Sequence, residues 1–222
     1  MLHRVAVVTC LAIAAISGCS STRTLPAVKE MGDRQFRREN WEAARVEYQE
    51  YVDRKPGDKE VQILLAQCLI KLGQPDLAVT HAQVAFDLEP NDAEALETYC
   101  LALAEAKKTD ELYRVLNGNC QTRGSVADYD RLARFQMKLG DPDGAERSFI
   151  MAAKVDGGKT IEPQLALANF YKSIGDKAGE KRRLRMALYL KPTDQKIYDR
   201  LRELGEIPGP SLALFPEEAG SN

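Results

Sequence analysis

Histidine is almost missing from this chain. Two occur in 222 residues, His3 near the start and His81 in the middle. His81 stands beside no cysteine or carboxylate pair at ligand spacing, so a zinc-type metal site has nothing to draw on. It reads as a surface or half-buried helix residue. An excess of either charge is missing as well: lysine and arginine total 31 against 33 aspartate and glutamate. The clusters Arg37-Arg38, Lys107-Lys108 and Lys181-Arg182-Arg183 are interleaved with carboxylates, so no basic face exists to neutralise a run of phosphates. Nucleic acid is therefore excluded as a partner. No nucleophile sits beside a base, and there is no phosphate loop or paired-carboxylate setting. No catalytic residue, metal or cofactor can be nominated, and the chain is expected not to be an enzyme.

A long apolar run is also lacking. Val5 to Ile16, broken by Thr9 and Cys10, is about a dozen residues, too short to span a bilayer as a stable helix. It follows the basic pair His3 and Arg4 and runs into Ile16-Ser17-Gly18-Cys19, the layout of a cleaved signal segment. Small residues directly before a cysteine resemble the lipobox of bacterial lipoproteins, with an ordinary secretory signal as the alternative. The resemblance implies removal of residues 1–18, acylation of Cys19 with palmitate among its chains, and a short tether over 19–26. At about 0.8 kcal/mol per buried methylene, several acyl chains hold a domain to a membrane almost permanently. Ser20 follows the cysteine in place of the aspartate that resembles an inner-membrane retention signal. The implied home is the outer membrane of a bacterial envelope, facing the periplasm.

What the mature chain does have is a period. Pro56, Pro90 and Pro192 each close a helical pattern and lie 34 and 102 residues apart, one and three multiples of a length typical of stacked helix pairs. Units fall at about 25–58, 59–92, 93–125, 126–160 and 161–194, with a capping helix over 194–204, so the helical domain spans 27–204. In the first helix of each unit a small residue recurs (Gly32, Ala66, Cys100, Ala133, Ala168), directly preceded by a larger apolar one (Met31, Leu65, Tyr99, Leu132, Leu167). Gly73, Gly140 and Gly175 mark the turn inside the unit, because glycine accepts the left-handed conformation that ends a helix. The second helix carries Ala44, Ala78 and Ala145, then Tyr48, Phe149 and Leu184, then Ala85, Ala152 and Ala187. Spacings of three and four place these on one helical face. No single pair can hide that face alone, so the units must stack.

These columns, with Leu88-Glu89-Pro90 and Leu190-Lys191-Pro192, resemble the tetratricopeptide repeat family. The resemblance covers about 25–194 and implies an all-α, right-handed superhelical solenoid of about five hairpins plus the C-terminal cap. Unit three departs from the pattern. It lacks the glycine, carries Leu112 and Asn119 where alanine is expected, and meets the turn signal Asn117-Gly118-Asn119. That reads as a helix shortened to about Asp110–Leu116 with an ordinary loop, or as a bend or docking notch in mid-stack.

In the family the first helices line an inner groove that binds peptide segments. By alignment that groove should carry Lys29, Asp33, Phe36 and Arg37, then Ile63, Gln67, Ile70 and Lys71, then Glu97, Leu101 and Glu105. Arg134, Met137, Lys138, Asn169 and Lys172 continue it. Phe36, Ile63, Ile70, Leu101 and Met137 are apolar where solvent is expected, and such patches mark partner surfaces. The implied job is a membrane-anchored protein-interaction scaffold with a protein or peptide partner; a carrier of a small apolar ligand or lipid is the alternative. The family's lysine and asparagine clamp for a terminal carboxylate is matched only by Asn169 and Lys172, which argues against that mode.

Cys68 and Cys100 fall in apolar stretches, where cysteine acts as a small hydrophobe. Cys120 is expected in a polar loop, with a Cys100–Cys120 bridge conceivable but disfavoured by the odd count. The tail, 205–222, has prolines that forbid a helix at its start, yet Leu212, Leu214 and Phe215 are too apolar for a solvated end. It either packs back on the last helices or groove, or is a ligand for a partner.

Overall fold

Aspartate, serine and threonine mark where helices begin. The side chains of Thr24, Asp58, Asp92, Ser125, Asp141, Asp176 and Asp194 each accept a backbone N–H of the first turn, satisfying donors that a helix start leaves open. The computed structural model describes residues 23–207, 209 and 211–220. The expected leader (1–18), Cys19 and the first part of the tether lie outside the described residues. Among these residues there are eleven α-helices and no strand: α1 (Leu25–Arg37), α2 (Trp41–Arg54), α3 (Lys59–Lys71), α4 (Pro75–Leu88), α5 (Ala93–Glu105), α6 (Thr109–Thr122), α7 (Val126–Lys138), α8 (Pro142–Asp156), α9 (Glu162–Ser173), α10 (Lys177–Leu190) and α11 (Gln195–Glu203). Each odd-numbered helix pairs with the next, and each pair packs on its neighbour, so the fold is a helix-hairpin solenoid with α11 closing its end.

The small-residue columns are where the helices meet. Gly32, Ala66, Cys100, Ala133 and Ala168 are all buried, as are Ala44, Ala78, Ala145, Ala85, Ala152 and Ala187. One apolar cluster runs from Val28 on α1 to Phe135 on α7. A second joins α7, α8 and α9, and a third holds α9, α10, α11 and Leu212 together.

Every first helix, and α11, ends in a left-handed residue: Gly73, Gly140, Gly175 and Gly205, but Glu39 in unit one and Lys107 in unit three, at φ 57° and 58°. A side chain there costs about 1–2 kcal/mol, partly offset because glycine loses more freedom on folding. A Cβ at Gly140 would meet no atom within 4 Å, so the penalty is conformational alone. Gly140→Ala should lower stability by about 1 kcal/mol and Lys107→Gly should raise it by about 0.5 kcal/mol, read as urea midpoints at unchanged slope.

Unit three corrects an expectation. Its second helix does not stop near Leu116; α6 continues through Asn117-Gly118-Asn119 to Thr122. Leu112, Leu116 and Cys120, spaced by four, are all buried, and that burial overrides the local turn signal. Asn119 donates to the Val115 carbonyl (2.9 Å) and Thr122 to the Gly118 carbonyl (2.5 Å), keeping their polar atoms on the helix itself. Cys120 is accordingly a buried helix residue and not a loop one, and Cys68, Cys100 and Cys120 are all free thiols.

The C-terminal segment lies against the last helices. Arg185 donates to the Leu212 carbonyl (2.7 Å), and the Leu214 N–H donates to the Arg185 carbonyl (2.9 Å). Phe215 meets Tyr189 edge-on at 5.2 Å. A short 3-10 turn, Glu217–Gly220, then sets Glu218 beside Arg183 and Gln164, both buried.

Candidate functional site

The first helices present one continuous face, and two of its hollows gather residues of the expected groove. The larger, about 470 Å³, is walled by Phe36 of α1, Trp41 at the start of α2, Ile70 of α3 and Leu101 of α5. Gln67, Lys71, Glu94, Glu97, Thr98, Glu105 and Lys138 complete its lining. Phe36 and Trp41 stand edge to face at 5.1 Å, and the Lys71 ammonium lies 6.0 Å from the Trp41 ring centre, within reach of a cation–π attraction. The second hollow, about 450 Å³, lies further along between α7, α8 and α9. Arg134, Met137, Phe149, Asn169 and Phe170 are among its lining.

Several charges around these hollows are matched by ion pairs. Glu97 accepts from Arg131 Nε and Arg134 Nη1, both at 2.9 Å, and Arg134 Nε donates to Asp130 at 2.9 Å. Lys138 reaches Glu105 at 2.7 Å. Burial alone would push the Glu97 carboxyl up, but hydrogen bonds from Arg134 and then Arg131 outweigh it and hold the group below the usual glutamate range. The face is thus bound together by ion pairs from α5 to α7, leaving apolar side chains between them.

Of the residues that alignment assigns to the groove, the larger hollow gathers Phe36, Gln67, Ile70, Lys71, Glu97, Leu101, Glu105 and Lys138, and the second gathers Arg134, Met137 and Asn169. Ile63 is a correction. It is 3% exposed and packs with Ala85 and Ala95, because its side of α3 faces the neighbouring helices. Lys29, Asp33, Arg37 and Lys172 line neither hollow. Lys29 is engaged with Glu60 (2.9 Å) and Asp33 (3.3 Å), and Asp33 accepts from the Tyr48 hydroxyl (2.8 Å). Asn169 accepts from Arg200 (2.7 Å), whose other nitrogens hold Glu180 and the Ala168 carbonyl, so it helps to bind the cap. Trp41, Glu94, Thr98, Phe149 and Phe170 escape the alignment. Trp41 carried a signal, as the single tryptophan of the chain, set directly after an intra-unit turn.

The thiols offer no reactive group. Burial pushes Cys68 and Cys100 up to about 12 and Cys120 up to about 11, so thiolate is scarce at neutral pH. These three cysteines should resist a thiol reagent at pH 8 in the folded protein and react together on unfolding in urea, followed by mass. His81 is half-buried, its Nδ1 2.8 Å from the Gln62 side-chain oxygen, and burial lowers its pKa, with Asp53 opposing the shift. No group of three potential metal ligands occurs among the described residues, and no helix there is long and apolar enough to cross a membrane.

The fold and groove define a class. A tetratricopeptide repeat profile matches residues 35–97, and the solenoid has the tetratricopeptide repeat fold. A thermophilic tetratricopeptide repeat protein of Thermus thermophilus superposes with a TM-score of 0.52 at 19% identity, over 82% of this chain and 98% of that one. A MamA protein gives 0.54 at 15% identity, over 84% and 98%. The pilF protein of Pseudomonas aeruginosa gives 0.53 at 16%, over 81% and 86%. At such identities the likeness is one of fold. No curated protein matches the chain in sequence. Residues 35–97 thus match the tetratricopeptide repeat in sequence, and the described residues share the fold of tetratricopeptide repeat proteins.

Proposed function

We propose that the larger hollow seats an apolar side chain from an extended or helical segment of a protein partner, and that the chain works as a lipid-anchored scaffold in the bacterial envelope. The observation that carries the first part is the cluster of Phe36, Trp41, Ile70 and Leu101, from four helices of three units, partly exposed around one hollow. The nearby charges Glu97 and Arg134, and Glu105 and Lys138, already pair with each other, so covering the apolar surface beside them leaves each of these four with its partner. Support for the anchor is the sequence Ile16-Ser17-Gly18-Cys19, and support for the outer membrane is Ser20. The solenoid begins at Leu25, so a chain tethered through Cys19 would present its groove close to the bilayer.

The test is a photo-reactive residue in place of Ile70 in cells, with adducts identified by mass. A protein adduct that disappears when Leu101→Asp is added supports the reading. Extracted lipid alone would replace it with the carrier of a small apolar ligand, and adducts indifferent to Leu101→Asp would reject the hollow as the seat. Separately, radiolabelled palmitate should enter the wild type and not Cys19→Ser; equal labelling of both would remove the anchor.

A further inference from the structure

Where second helices and inter-unit turns meet, away from the first-helix face, one groove is already filled by the chain itself. Between the α8–α9 turn and α10, Pro216 and Ala219 close on Gly158, so that a side-chain carbon there would lie 2.8 Å from Pro216 Cβ. Glu217 pairs with Arg182, and Glu218 pairs with Arg183 at 2.5 Å. Beneath this segment Met186 is 2% exposed.

The repeat builds the same groove two units earlier, between the α4–α5 turn and α6. Pro90 stands where Gly158 stands, two residues past the end of its helix, and Arg114 stands where Arg182 does, five residues past the helix's first. The place of Met186, nine residues past the first, is taken by Val84 in α4 and Met151 in α8, which are 36% and 39% exposed. In α6 it is Gly118, and a carbon added there would meet no atom within 4 Å. The missing side chain leaves an open hollow of about 400 Å³, walled by Phe86, Pro90 and Val115, with Arg114 and Arg123 in its lining and no carboxylate. Arg123 also reaches Asp128 at 2.6 Å.

We propose that this hollow is a second docking site, independent of the groove on the first helices, for an extended peptide in which apolar residues lead into paired carboxylates. The chain's own Leu214-Phe215-Pro216-Glu217-Glu218 is that chemistry, docked in the corresponding place with Glu217 on Arg182, the counterpart of Arg114, and Glu218 on Arg183. Val115 takes the place of Arg183 in unit three, so that Arg123 is the second cation there. In unit three the apolar wall and Arg114 are present, and no occupant is found among the described residues. Charge complementarity selects the carboxylates, since an arginine pairs with them at short range and with directional hydrogen bonds, while the space over Gly118 admits the apolar side chain ahead of them.

The probe is a fluorescent peptide of residues 211–220, titrated by anisotropy into the full-length chain. Saturable binding is expected, weakened about tenfold by Arg114→Glu and by Gly118→Leu, which fills the hollow without changing charge. A peptide with both glutamates replaced by glutamine should weaken similarly. Circular dichroism of both variants checks that α6 remains folded. Absence of saturable binding at millimolar chain would overturn the proposal. So would binding that ignores Arg114→Glu and Gly118→Leu but is lost in Arg182→Glu, since the peptide would then only be exchanging with the tail in its own groove.

Discussion

Gly32→Leu is expected to cost about 3 kcal/mol, a large share of the roughly 5–15 kcal/mol that holds a domain of this kind together. Gly32 lies in α1 against α2, and a carbon added to it would sit 2.6 Å from Tyr48 Cε1 and 2.8 Å from Cδ1. The ring cannot simply turn aside. Tyr48 is fully buried, its hydroxyl donates to Asp33 at 2.8 Å, and Phe36 meets it at 6.3 Å between ring centres. Relief requires α1 to lift from α2 or the ring to surrender its hydrogen bond. Gly32→Ala separates the opposing terms: alanine gains about 1 kcal/mol of helix propensity yet carries the same clashing carbon, so a net loss is still expected. Urea unfolding of Gly32→Leu, Tyr48→Ala and the double variant closes the argument. If the close approach is the cause, the double should lose clearly less than the sum of the singles. Simple additivity would mean that the small column in the first helices is not a contact requirement.

That column is legible in the sequence because it repeats. A small residue after a large one, five times at a regular interval, reflects a geometric demand that recurs wherever two helices cross. Features that occur once are harder to see. The run Asn117-Gly118-Asn119 carries the local signature of a turn, and only the four-residue spacing of Leu112, Leu116 and Cys120, all buried, keeps α6 going past it. Ile63 illustrates a second limit. Successive residues of a helix differ by about 100° in direction, and the groove face of α3 adjoins the face toward α4 and α5; both are apolar, so composition does not separate Ile63 from Ile70. Trp41 escapes an alignment that seeks groove residues on first helices, because it is the first residue of α2 and reaches back over Phe36. The tail has no period at all. Its prolines exclude a helix at its start, but which surface it meets is decided by Arg183, Arg185 and Gly158, far away in sequence.

Glu218→Ala is expected to release that tail. Arg183 and Glu218 are 7% and 5% exposed at their side chains, and Gln164 joins both, accepting from Arg183 at 3.1 Å and donating to Glu218 at 3.1 Å. Removing one member of such a pair costs about 3–5 kcal/mol when the other must stay buried and alone. Here the other can escape. If residues 211–220 peel away, Arg183 regains water, so the loss is capped by the docking free energy of the segment, to which burial of Leu212 adds about 2 kcal/mol. The result should therefore be local: rapid protease cleavage after Leu212 or Leu214 and faster hydrogen exchange at the Leu214 amide, with a modest fall in melting temperature. Acid should act in the same direction. Burial alone would raise the Glu218 carboxyl, but the Arg183 hydrogen bond outweighs it and the folded-state pKa lies below the ordinary glutamate value. A lowered folded pKa means that the contribution is complete above about 4.3, the unfolded value, and fades as pH falls through that value and below the folded one. Tail protection should thus hold level from pH 7 to about 5 and decline under about 4 in the wild type, whereas Glu218→Gln should show a weaker and flatter profile. Equal protection of the two across that range would mean that the buried ion pair does not hold the tail, and that Leu212 and Phe215 hold it by packing alone.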